Sequence, residues 1–119
     1  MDKITKTSTI NITVGLDDHN VPVSIAWLSD DGPTAGKTQP GKAMLLSLFD
    51  SESLDTLKID LWTKEMQVKE MDRFFYQTLR ALTETYFKAT QNQDLAGAMQ
   101  SFVQYFGEKT EIIPPLEKG

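Results

Sequence analysis

The chain has 119 residues and a net charge of −5, and it contains no cysteine. This length fits one domain with a single hydrophobic core, and the acidic balance argues against binding to a nucleic-acid backbone. The absence of cysteine excludes a disulfide framework, a thiolate metal site and a cysteine nucleophile. No stretch approaches the roughly 20 apolar residues that cross a bilayer, and residues 1–10 lack the apolar core of a signal peptide. We therefore expect a cytoplasmic protein without membrane insertion.

The first half of the chain predicts two β-hairpins. Apolar and polar residues alternate over residues 9–16 and 21–27, and the polar cluster 17–20 between them is typical of a turn. Residues 43–50 and 56–62 form the second predicted hairpin. Its first segment could be a strand or a helical turn, and the alternation in the segment that follows favours a strand.

Residues 29–41, between the two hairpins, contain no large apolar side chain. Glycine, proline and acidic residues are concentrated at the start of this segment. This composition predicts a flexible loop.

From Val68 onward the apolar residues recur every three or four positions, which predicts a helix. The polar residues 91–93 interrupt this pattern. Asp94 is the predicted N-cap of a second helix, and Gly107 is its predicted end. On the first helix, Tyr76 and Phe87 lie about 100° from the main apolar stripe and are predicted to pack against the second helix.

Segregated strands and helices predict an α+β fold with a four-stranded antiparallel sheet and two C-terminal helices packed on one of its faces. We expect a single domain over residues 1–119, with an ordered core over residues 5–110 and a frayed tail over 111–119. The sheet face covered by the helices carries these residues: Ile10, Ile12, Val14, Val23, Ile25, Trp27, Leu46, Leu48, Leu57, Ile59 and Leu61.

The opposite, outer sheet face is polar on the first strand but carries four large apolar side chains elsewhere. An exposed apolar patch often marks a partner surface, and tryptophan is enriched among binding hot spots. The alternative is that residues 29–41 or the C-terminal tail cover these side chains. The predicted protein-binding residues are Leu28, Leu45, Phe49 and Trp62.

The sequence offers no recognisable catalytic set. Residues 32–38, Gly-Pro-Thr-Ala-Gly-Lys-Thr, resemble a phosphate-binding loop, but Asp31 stands in place of its first glycine and Gln39-Pro40-Gly41 follows where a helix is required. His19 is the only histidine and has no second imidazole or thiolate with which to form a zinc site. Asp60 alternates with the core residues and is predicted to point outward. We therefore predict no enzymatic activity, no cofactor and no metal.

The most distinctive sequence block is residues 57–66, Leu-Lys-Ile-Asp-Leu-Trp-Thr-Lys-Glu-Met. This block and several others resemble the family of the gliding motility protein GldC, in which the position of Phe49 more often holds tryptophan. The resemblance covers about residues 10–109. The other blocks are Leu16-Asp17-Asp18, Asn20-Val21-Pro22, Ile25-Ala26-Trp27, Lys42-Ala43-Met44, Leu46-Ser47-Leu48-Phe49-Asp50, Glu70-Met71, Phe74-Phe75, Gln77-Thr78-Leu79, Ala89-Thr90 and Tyr105-Phe106.

The resemblance implies a soluble accessory component of the gliding machinery of Bacteroidetes-type bacteria, with no established enzymatic activity or cofactor. That machinery is membrane-bound and linked to a protein secretion system. We accordingly predict an adaptor that binds a protein component of the gliding apparatus through the outer sheet face. Two alternatives stay open: a small-molecule sensor with a pocket between helices and sheet, and a structural homodimer that uses the same face or an unpaired sheet edge.

Overall fold

The computed structural model describes residues 2–115, which form five strands followed by two helices. The chain divides between Met66 and Gln67 into two compact units, of which the first holds the strands and the second the helices. The elements are β1 (Ile10–Leu16), β2 (Pro22–Ser29), β3 (Gln39–Gly41), β4 (Ala43–Phe49), β5 (Thr56–Trp62), α1 (Val68–Thr90) and α2 (Gln93–Lys109).

The strands form two antiparallel sheets. β1, β2 and β3 make a three-stranded sheet in that order, and β4 and β5 make a separate two-stranded sheet. The α+β class is therefore confirmed, whereas the prediction of a single four-stranded sheet is wrong. The first segment of the second hairpin, for which a strand and a helical turn were both considered, is the strand β4.

The sheet divides because the extended segment 39–49 bends at Lys42 and changes its pairing partner. Before the bend Pro40 lies opposite Ala26 of β2, and after it the chain pairs with β5. Pro40 has no N–H group, which suits it to a sheet edge. Beyond β5, the Thr63 N–H donates to the Lys42 carbonyl at 2.8 Å and the Lys64 N–H donates to the Pro22 carbonyl at 3.2 Å.

The segment predicted as a loop, residues 29–41, is shorter than expected because it includes the last residue of β2 and all of β3. A compact turn fills the remainder, closed by the Gly36 N–H donating to the Ser29 carbonyl at 2.9 Å. Gly32 and Gly36 have φ angles of 94° and 74°. Glycine adopts this left-handed region without the clash that a Cβ atom would cause.

In the first sheet, the predicted alternation of faces is confirmed around Ile25. Ile12 lies opposite Trp27 and Val14 lies opposite Ile25, so these four side chains share a face. Ile25 is only 4% exposed. The Trp27 ring lies over Gly41, where an added Cβ atom would come within 3.3 Å of its Cζ3.

The helix ends differ from the predicted ends. Asn92, not Asp94, is the N-cap of α2, because its Oδ1 accepts a hydrogen bond from the Leu95 N–H at 3.1 Å. The helix also continues past Gly107 to Lys109. Gly107 is buried inside the helix rather than placed at a terminating turn.

The two helices pack through small residues. Thr83 of α1 and Ala96, Val103 and Gly107 of α2 are buried. A Cβ atom at Gly107 would lie 2.6 Å from Tyr76 Cε1, so the predicted packing of Tyr76 against α2 is confirmed. The packing of the helices on the sheet stays a prediction.

The buried apolar side chains within residues 2–115 are few: Ile25, Ala96 and Val103. Neither helix in this part of the chain is long and apolar enough to cross a membrane. Of the predicted C-terminal tail, residues 116–119 lie outside the described part.

Candidate functional site

The β4–β5 hairpin determines which side chains share its two faces. Ala43 lies opposite Trp62, Leu45 opposite Asp60 and Phe49 opposite Thr56. Successive side chains alternate between faces, so Leu45, Phe49 and Trp62 lie on the same face. We call this the outer face of β4–β5; its members are Ala43, Leu45, Ser47, Phe49, Thr56, Lys58, Asp60 and Trp62.

Trp62 and Leu45 form the apolar end of the outer face. Trp62 is 57% exposed and Leu45 is 36% exposed. Leu45 lies diagonally across the ladder from Trp62, at about 7–8 Å between backbones, which an indole ring can span. The small Ala43 side chain opposite Trp62 leaves the ring uncovered from that side.

An ion pair occupies the middle of the outer face. Lys58 Nζ lies 2.8 Å from Asp60 Oδ2, and both side chains remain substantially exposed. An exposed pair of this kind contributes at most about 1 kcal/mol to folding. Its position between Trp62 and Phe49 therefore matters more for the chemistry of the surface, which is apolar at both ends and charged in between.

The ladder does not bring all four predicted binding residues together. Phe49 is 68% exposed but lies two rungs beyond Leu45. Leu28 is half-buried in β2, opposite Asn11, and so belongs to the other sheet. The outer face of β4–β5 therefore contains Leu45, Phe49 and Trp62 but not Leu28.

The reverse face of the β4–β5 hairpin also carries apolar side chains. Leu48, Leu57 and Ile59 are 54%, 58% and 41% exposed, and the covering of this face by the helices stays a prediction. β4 is apolar at nearly every position instead of alternating. Continuous apolar strands are typical of sheets that are covered on both faces.

The carboxyl group of Asp17 has a strongly lowered pKa, and its contacts hold a turn in place. Its Oδ2 pairs with the Lys64 ammonium, and its Oδ1 accepts hydrogen bonds from the Val21 and His19 N–H groups at 3.0 and 2.8 Å. The Lys64 contact, followed by these backbone hydrogen bonds, lowers the pKa of Asp17 from 3.8 to about 2. Such a carboxylate stays ionised, so it holds the turn between β1 and β2 in place instead of donating a proton.

The other residues considered for chemistry remain apart from one another. His19 Nε2 lies 3.7 Å from Asp18 Oδ1, and both side chains are exposed. Within residues 2–115, no three histidine, cysteine or acidic side chains come close enough together to hold a metal ion. The turn at residues 32–38 leads into β3, a strand, and not into a helix.

The helical unit carries an apolar groove of its own. It lies along the line where α1 meets α2, and Leu82 and Phe102 on its walls are 53% and 50% exposed. The lining residues are Leu79, Leu82, Thr83, Ala98, Met99, Phe102 and Val103. On the other side of the contact between the helices, Phe87 lines a second groove with Ala96 and Gly97.

These features define a class of protein: a small α+β chain whose sheets and helical hairpin expose apolar side chains, and in which the Asp17 carboxylate holds a turn. The model of one family, described as Gliding motility-associated protein GldC-like, matches residues 22–112. Because the match covers well over half of the sequence, the chain belongs to this GldC-like family, as its sequence blocks indicated. No curated protein and no solved structure shows a significant match.

Proposed function

We propose that this protein is a non-enzymatic adaptor of the gliding apparatus and binds a protein component of it through the outer face of β4–β5. The observation that carries the proposal is the exposure of Trp62, 57%, beside Leu45 in a chain of the GldC-like family. As part of the same proposal, the adaptor acts in the cytoplasm.

The physical basis is the free energy gained when a partner covers Trp62. Burying the exposed part of a tryptophan side chain removes on the order of 100 Å² from water, which is worth about 2–3 kcal/mol. Tryptophan is also the residue type in which interface binding energy is most often concentrated. Leu45 would extend the apolar contact next to it.

The Lys58–Asp60 ion pair supports recognition of a protein surface. Protein interfaces have an apolar centre and a polar, hydrated rim. The pair, 2.8 Å between Nζ and Oδ2, borders the Trp62–Leu45 end and offers one charge of each sign to a partner. Charges at a rim orient the partner and exclude mismatched surfaces. Phe49, on the far side of the pair, would form a second apolar contact.

The test compares two variants of β5 whose altered side chains lie on opposite faces of the β4–β5 hairpin. Trp62→Ala removes the outer-face contact, whereas Leu57→Ala removes a side chain of the reverse face that is equally exposed, at 57% and 58% respectively. Each purified protein is used to capture partners from gliding cells, and the affinity for any captured protein is then measured with purified components. We expect Trp62→Ala to weaken binding by about 30-fold or more and Leu57→Ala to leave it nearly unchanged.

Circular dichroism of both variants provides the control for folding. A folded Trp62→Ala variant that binds like the wild type would overturn the assignment of the outer face. Stronger loss of binding in Leu57→Ala than in Trp62→Ala would transfer the docking surface to the reverse face.

A further inference from the structure

β1 is the outer strand of the three-stranded sheet, and no strand within residues 2–115 pairs with its second edge, which we call the open edge. In the order β1-β2-β3, β1 pairs with β2 alone among the strands of residues 2–115. Along this edge, Ile10, Ile12 and Leu16 are 66%, 40% and 53% exposed.

The backbone groups along the open edge can be assigned from the hydrogen bonds to β2. The Thr9 carbonyl accepts from the Asp30 N–H at 3.1 Å, and the Asp17 N–H donates to the Val21 carbonyl at 3.0 Å. Because the direction alternates along an antiparallel strand, the odd-numbered residues between them also point toward β2. The unpaired N–H and C=O groups belong to Ile10, Ile12, Val14 and Leu16.

This edge has none of the usual features that prevent strands from pairing between molecules. Residues 7–16 contain neither a charged residue nor a proline. The register of β1 and β2 shifts between Gly15 and Leu16, as at a β-bulge. The extra residue is Val23 of β2, so β1 itself remains regular. Charges, prolines and bulges are the devices that natural edge strands use to avoid such pairing.

The open edges of other strands differ from that of β1. β5 carries Lys58 and Asp60, and β3 has only three residues, one of them Pro40. β4 is also uncharged, but its apolar side chains occupy both faces. β1 combines an uncharged edge with a clean division into an apolar and a polar face.

The sequence of β1 is complementary to itself when a second copy runs antiparallel. With the two-fold axis at Thr13, the midpoint of the strand, Ile12 faces Val14 and Ile10 faces Leu16 of the other copy. The outward backbone groups then fall opposite one another, as an antiparallel ladder requires. Apolar side chains meet apolar side chains, and Thr13 meets its own copy on the polar face.

We propose that two copies of this chain pair through β1 and form a two-fold dimer with one continuous six-stranded sheet. The interaction uses the backbone N–H and C=O groups of β1 that no other strand within residues 2–115 pairs with. It also makes the apolar face of one sheet continuous with the apolar face of the other. It does not depend on the proposed adaptor function, because the outer face of β4–β5 belongs to another sheet.

The natural absence of cysteine permits a direct test with single substitutions. In the proposed register, Thr13→Cys places two thiols at a non-hydrogen-bonded pair with Cα atoms about 4.5 Å apart, within disulfide range. Asn11→Cys is the matched control: it lies on the same face, but its copies are about 13 Å apart. Under mild oxidation we expect a covalent dimer for Thr13→Cys and little for Asn11→Cys. Equal crosslinking of the two variants would overturn the proposal.

Two further measurements complete the test. Sedimentation of the wild-type chain at tens of micromolar should show a dimer, and Thr13→Lys, which sets two like charges opposite each other, should raise the dimer Kd by about tenfold while the monomer stays folded. A wild-type chain that is monomeric, or Ser47→Cys of β4 crosslinking in preference to Thr13→Cys, would overturn the assignment to β1.

Discussion

Two glycines of α2 occupy opposite environments although both lie inside the helix. A Cβ atom at Gly107 would lie 2.6 Å from Tyr76 Cε1 and 2.7 Å from Ile113 Cγ1. A Cβ atom at Gly97 would meet nothing within 4 Å. Gly107 therefore lets α1 and the chain after α2 approach closely, whereas Gly97 only adds freedom to the unfolded chain.

This contrast predicts alanine substitutions of opposite sign. Gly107→Ala should lower the free energy of unfolding by about 1–3 kcal/mol, because the rigid Tyr76 ring must move. Gly97→Ala should raise it by about 0.5–1 kcal/mol, because alanine loses less conformational entropy in a helix. Urea denaturation of the two variants measures both changes. Equal effects would contradict the close packing at Gly107.

Among single residues, the face of β5 that carries Trp62 was predictable, whereas the neighbours of Trp62 on that face were not. Alternation with Leu61 fixes its side of β5, because a strand has a period of two. The distance from Trp62 to Phe49 and the assignment of Leu28 to the other sheet depend on strand pairing. Pairing joins residues far apart in sequence, so local pattern does not reveal it.

At the scale of elements, the ends of α2 show how closely spaced polar residues compete for one structural role. Asn92 and Asp94 are both good N-caps by residue type. The cap is Asn92 because Gln91 adopts a left-handed conformation, φ 57°, and ends α1 directly before it. This tight connection leaves Asp94 within the first turn of α2.

The cap assignment gives a prediction for two neighbouring alanine variants. Asn92→Ala should lower the free energy of unfolding by about 1 kcal/mol, because the Leu95 N–H loses its acceptor. Asp94→Ala should lower the free energy of unfolding by less, since it removes only a favourable charge near the helix N-terminus. Thermal unfolding followed by circular dichroism ranks the two variants. A larger loss of stability in Asp94→Ala than in Asn92→Ala would show that Asp94 is the N-cap.

The division of the strands into two sheets is also decided by how whole strands pair with one another. The alternating pattern predicts the strands but contains no sign that residues 39–49 change partners at Lys42. Pro40 and Gly41 mark the place, since proline suits a sheet edge and glycine permits the close approach of Trp27. Sequence alone reads these two residues as loop, as the predicted segment 29–41 illustrates.

For the whole strand-bearing unit, the pair Asp17–Lys64 joins the first turn to the segment that follows the last strand. The Lys64 N–H also donates to the Pro22 carbonyl, so side chain and backbone hold the same junction. The lowered pKa of Asp17 therefore bears on the stability of this unit.

The lowered pKa of Asp17 predicts how this unit responds to acid. The folded-state value, about 2, is below the ordinary 3.8, so the ionised carboxylate is favoured by folding. The associated stabilisation is complete above pH 3.8 and is lost as the pH falls from 3.8 to about 2. Asp17→Asn should therefore lower the urea midpoint at neutral pH and have little further effect near pH 2.

The matched control is Asp18→Asn, which removes the neighbouring carboxylate, 88% exposed. It should leave the urea midpoint nearly unchanged at both pH values. An Asp17→Asn variant that is as stable as the wild type at neutral pH would show that the Asp17–Lys64 pair does not contribute to the free energy of unfolding.

The sequence by itself determined the α+β class, the position of nearly every strand and helix, and the membership of the GldC-like family. These follow from periodicities of two and 3.6 residues and from short sequence blocks, all of which are local. Only the tertiary structure decided the split into two sheets and the place of β1 at the edge of the first sheet. Both depend on which distant segments pair with one another, and neighbouring residues do not encode that pairing.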